Sequence, residues 1–96
     1  MDPYLTPASR FRAEALHREA WSIRADDHAQ DLERAGNRDG AADAYMRSAA
    51  YLREEAAILR AAAREEGGTF RDLAHADIAE IAASVRDRMA RELLGQ

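Results

Sequence analysis

The chain has 96 residues, no cysteine and a formal net charge of -4 at pH 7. That bounds it to one domain with neither a disulfide frame nor a thiolate site, and it argues against a life on nucleic acid or anionic membrane, both of which ask for a basic patch. Hydrophobic residues make up 47% of the chain, yet alanine alone supplies about a quarter of all positions, so helices form readily while each buried side chain contributes little, about 0.8 kcal/mol per methylene-sized group.

The leader 1–6 holds Pro3 and is followed by Pro7, so an extended arm is expected there, with Tyr4-Leu5 as its apolar handle. Thr6 before Pro7 is a helix start, a hydroxyl cap followed by proline in the first helical position. The first helix is predicted over about 7–35. It carries two apolar lines. Leu16, Ala20 and Ile23, with Ala13 behind them, form one; Phe11, Trp21, Ala25, His28, Ala29 and Leu32 gather on nearly the opposite side. A helix inside one small bundle needs a single broad stripe. Either the core shifts from one line to the other along a bent helix, or the line centred on Trp21 meets another chain, as aromatic anchors do.

Gly36-Asn37 supplies residues that tolerate the left-handed conformation of a helix C-terminal cap, and Asp39 is expected to start a second helix over about 39–66. Ala41, Tyr45, Ala49, Leu52, Ala56, Leu59 and Ala63 recur there at steps of three and four, and Ala44, Tyr51 and Ile58 form a second line beside them. Together they cover close to half the cylinder, so this helix should touch two others. Gly67-Gly68 ends it. Thr69 with Asp72 three residues on reads as a capping box that opens a third helix over about 70–94, with Phe70, Ala74, Ile78, Ile81, Val85, Met89 and Leu93 as its expected core stripe. Two short loops joining three long helices predict an all-α, up-down-up antiparallel three-helix bundle, with 7–96 as a single Ala-rich domain.

The run around Gly36-Asn37, with Ala29 and Leu32 before it and Ala41 and Tyr45 after it, resembles the two-helix unit of tetratricopeptide repeats. It is also similar to the first two helices of the MIT domain, whose third helix matches the layout here. That resemblance implies protein or peptide binding in a groove between helices. Ala25 and His28 depart from the repeat's preferred Trp and Leu, no proline follows the second helix, and no second repeat is present. The helical hairpins of type seven secretion match in length and acidity, but their Trp-x-Gly turn is missing, since Trp21 is followed by Ser22-Ile23.

Candidate chemistry rests on three histidines. Glu14-x-x-His17 and Asp72-x-x-His75 each put a carboxylate and an imidazole on one helix face, the spacing used by carboxylate-bridged di-metal bundles, with Glu54 and Glu55 as the acids available from the second helix. His28, near Asp27 and Asp31, reads as a surface or interface histidine. No Ser-His-Asp set or glycine-rich phosphate loop can be assembled. All 14 basic residues are arginine, scattered and mostly one turn from an acid. The nearest basic cluster, Arg86, Arg88 and Arg91, is interrupted by Asp87 and Glu92. The expected function is therefore a non-enzymatic protein-interaction module, a small adaptor or regulatory subunit without cofactor. It is expected to form a cytoplasmic homodimer through the first helix, with Phe11, Trp21, Ala25, His28 and Leu32 as the contact. The alternative is a di-metal bundle built on Glu14, His17, Asp72 and His75.

Overall fold

The structure is a computed structural model and describes residues 6–96; of the expected arm only Thr6 lies within that range. Three helices follow one another, α1 (Pro7–Arg34), α2 (Arg38–Ala63) and α3 (Phe70–Leu93). They pack antiparallel as a three-helix bundle, with α2 in the middle touching both neighbours. No described helix is long and apolar enough to cross a membrane.

The helix ends follow from local chemistry. Thr6 caps α1, its hydroxyl oxygen accepting from the Ser9 N-H at 3.2 Å, with Pro7 at the first helical position. At the other end Gly36 takes φ of +80°. The Gly36 N-H then donates to Glu33 O, and the Asn37 N-H reaches back to Leu32 O at 2.8 Å, which satisfies carbonyls that an abrupt end would leave bare. Asn37 also caps α2, its side-chain oxygen accepting from the Gly40 N-H at 2.9 Å. The start is thus two residues earlier than an Asp39 cap would give, and Asp39 sits in the first turn, where its charge meets the positive end of the helix dipole. The far end of α2 closes at Ala63 rather than near residue 66, because the Arg64 and Glu65 N-H groups turn to Ala61 O and Ala62 O in tighter bonds. Thr69 opens α3, its N-H donating to Asp72 Oδ2 at 2.8 Å, the reciprocal half of a capping box.

Packing departs from the sequence pattern in α1 and α3. The buried residues of α1 are Ala8, Ala15, Ser22 and Ala29, every seventh position; of its two larger apolar lines only Ala29 is among them. In α3 the buried residues are Asp72, Ala76, Ala79, Ala83 and Ala90. The expected core stripe of α3 is split: in its first half Phe70 is 83% exposed, Ile78 64% and Ile81 66%, whereas Met89 and Leu93 further along pack against the cluster around Tyr45. The large core side chains, Tyr45, Leu52 and Leu59, all come from α2, and each sits in an alanine cluster: Ala29, Ala42, Ala44 and Ala90 around Tyr45; Ala49 and Ala83 around Leu52; Ala15, Ala56, Ala76 and Ala79 around Leu59. Small residues at heptad spacing let helix axes approach closely, so many short contacts at the seam replace a few large side chains.

The bundle is open on one side. It measures 53 × 21 × 13 Å, and no Cα of α1 comes within 8 Å of one in α3. Those helices are tied by side chains across the trough between them. Arg12 meets Asp72 near one end and Arg86 meets Asp26 further along.

Candidate functional site

The four residues of the expected di-metal centre do not converge. Glu14 pairs with Arg18 one turn on, at 2.9 Å. His17 lies beside Trp21, ring centroids 6.5 Å apart. Asp72 is engaged by Arg12 and by the start of its own helix, and only His75 faces another acid, Glu55.

A different set does come together at the trough. Glu19 of α1, Glu55 of α2 and His75 of α3 each place one ligand atom within 4.8 Å of the others, the single such group of three among the described residues. His75 Nε2 is 3.0 Å from Glu55 Oε1. Glu55 is 2% exposed, and its other oxygen, Oε2, is buried with no hydrogen-bond partner. Burial, and then the facing charge of Glu19, push the Glu55 carboxyl above the usual carboxylate range, against the opposing pull of His75. Beside this set a cleft of roughly 210 Å³ is lined by Arg12, Ala15, Leu16, Leu59, Asp72 and His75.

This corner differs from the other contacts across the helix seams. Across the helix seams, carboxylates meet guanidinium groups: Arg12 with Asp72, Arg53 with Asp87, Arg60 with Asp77 and Glu80, and Arg86 with Asp26. The pairing holds Asp72 down at about 2, chiefly through its hydrogen bonds from Arg12. Among the described residues no arginine pairs with Glu19 or Glu55. The sequence pattern offered Glu55 only as an acid available from the second helix and did not single out Glu19. A signal for Glu55 was present, because it falls on the heptad line Ala41, Ser48, Glu55 and Ala62, every member of which is buried.

The expected contact residues on α1 are placed in two groups. Trp21, Ala25 and His28 surround one shallow hollow with Arg24, Arg47 and Tyr51. Phe11 lines another with Pro7, Arg10 and Glu14, and Leu32 is half-buried further along the helix. Trp21 is 37% exposed and stands edge-on to Tyr51 at 5.6 Å, with the Arg18 guanidinium 4.7 Å from its ring centre. Trp21 thus rests on Tyr51 of α2 within the chain.

An uncovered apolar surface lies on the outer face of α3. Phe70, Ile78 and Ile81 are exposed there, and Leu16 and Ile23 of α1, each more than half exposed, add a second apolar line. No protein-family model matches the chain, and neither curated proteins nor solved structures give a match.

Proposed function

We propose that the chain is a non-enzymatic protein-interaction module that pairs with a second copy of itself through the outer face of α3. The observation that carries this reading is the facing of the first half of α3, which buries its alanines and leaves Phe70, Ile78 and Ile81 in water. Isolated exposed apolar residues are ordinary, whereas several together along half of one helix mark a contact surface. The charges flanking that line suit a two-fold antiparallel pairing centred between Ile81 and Ala82. In that register Ile78 meets Val85 of the copy and Arg71 meets Glu92, and neither Arg71 nor Glu92 has an ion-pair partner among the described residues. A two-fold contact forms every such pair twice.

Light scattering at micromolar concentration tests it. Twice the chain mass of 10.7 kDa is expected, and Ile81→Glu should return the single-chain mass. A wild-type monomer throughout that range overturns self-association.

A second reading is supported by the hollow beside Trp21, where an exposed indole lies among Arg24, His28 and Arg47. Phe11, Trp21, Ala25, His28 and Leu32 would then take a helix of another protein, the mode of binding that the resemblance to MIT and tetratricopeptide hairpins implies. Trp21→Ala separates the two. It leaves an α3 dimer intact and removes a contact built on α1.

A further inference from the structure

We propose that Glu19, Glu55 and His75 bind one divalent transition-metal ion of the zinc class, with water completing the coordination. The site is independent of self-association, and none of its residues belongs to the α3 contact line.

Three observations point the same way. The ligand atoms come from three different helices and lie within 4.8 Å of one another. In a tetrahedral site with bonds of about 2.0 to 2.1 Å, ligand atoms sit roughly 3.3 Å apart. The His75 to Glu55 separation of 3.0 Å already approaches that value, and the remaining contraction is within the reach of Glu side chains that rotate about three bonds. Glu55 Oε2 is buried and unpartnered, although a buried carboxylate oxygen without a donor is costly to keep. The chain has 14 arginines and sets them against acids elsewhere along its seams, but here it leaves two carboxylates and an imidazole facing each other. A dication would neutralise both carboxylates at once and occupy the free lone pair of Glu55.

The ligand set defines the class of ion. Two carboxylates with one imidazole, and no thiolate, suit zinc and its first-row neighbours. An all-oxygen cage of the kind that calcium requires is not available. The ion would clip α1 to α3, which otherwise meet only through side chains at the trough, so binding should stabilise the fold.

The experiment is calorimetric titration of the full chain, stripped with chelator and dialysed, with zinc chloride, and with magnesium chloride as the contrast. One zinc per chain, a higher melting temperature with zinc, and no comparable response to magnesium are expected. Cobalt(II) should bind at the same stoichiometry and give the intense visible absorption of a tetrahedral centre. His75→Ala and Glu19→Gln should each weaken zinc binding at least tenfold. Both positions reach solvent, which keeps the fold readable by circular dichroism, and His17→Ala should leave binding unchanged. The proposal is overturned by the absence of saturable zinc binding, by magnesium binding as well as zinc, or by sensitivity to His17→Ala in place of His75→Ala.

Discussion

Arg12 grips Asp72 at two points across 60 residues of sequence, Nε to Oδ1 at 2.7 Å and Nη2 to Oδ2 at 2.8 Å. The same guanidinium donates to Gly67 O at 2.7 Å. One side chain of α1 therefore fixes both the start of α3 and the turn that precedes it. Asp72 is nearly buried, so this pair is screened far less than those on the surface.

Acid should reveal that pair. The folded-state pKa of Asp72 is about 2 against an ordinary value of 3.8, so its contribution is complete above pH 4 and is lost as pH falls from about 4 towards 2. The shift corresponds to about 2 kcal/mol. Chemical denaturation of wild type and Asp72→Asn should differ by that order at pH 7 and converge near pH 2. A constant difference between the two across this range would assign the role of Asp72 to packing.

Gly68 is expected to be the least replaceable glycine. A Cβ built there would stand 2.4 Å from Ala62 O and 2.6 Å from Ala63 O, both backbone atoms that cannot swing aside. Gly68→Ala should cost roughly 3 kcal/mol. Gly36→Ala has open space around it and pays only for φ of +80°, on the order of 1 kcal/mol. Urea midpoints for the two variants check the ranking.

Truncating large side chains on the two sides of the bundle should give unlike results. Leu59→Ala removes a side chain that is 2% exposed, and a loss of about 2 to 5 kcal/mol is expected at every protein concentration. Ile81→Ala removes one that faces away from the chain's own core. Its effect should appear only in the concentration-dependent part of the melting temperature, where pairing contributes.

The metal ligands should be unfavourable for the empty protein. Glu55→Gln replaces a buried charge that no guanidinium answers, so the variant should melt higher than wild type in the presence of chelator, by an amount on the order of 1 kcal/mol. With zinc the order should reverse. Thermal melts under the two conditions make the comparison.

The helices and turns were legible because their signals are local. Thr6-Pro7, Gly36-Asn37 and Gly67-Gly68-Thr69 determine the boundaries through nearest-neighbour geometry, and the α2 stripe through Tyr45, Leu52 and Leu59 is the core that the spacing implies. The facing of α1 and of the first half of α3 was not legible. Periodicity finds that Phe70, Ile78 and Ile81 share a face, but it cannot tell which neighbour that face meets. Close packing selected the alanine line on the other side. The candidate site was half visible for a related reason: His75 and Glu55 stood out as residue types, whereas their meeting with Glu19 depends on the rotation of three helices about their own axes.

Because α2 touches both neighbours while α1 and α3 approach each other only through side chains, nearly all backbone proximity in the fold is between consecutive segments. Such a chain closes only short loops on its way to the native state, so it is expected to fold on the microsecond to millisecond scale. The α1–α2 hairpin can assemble before α3 has been synthesised, and α3 can then zip onto α2 without threading past anything. In reverse, α3 can peel away as a unit and leave that hairpin standing. Hydrogen exchange should therefore find the amides of α3 opening in a step of lower free energy than those at the α1–α2 seam.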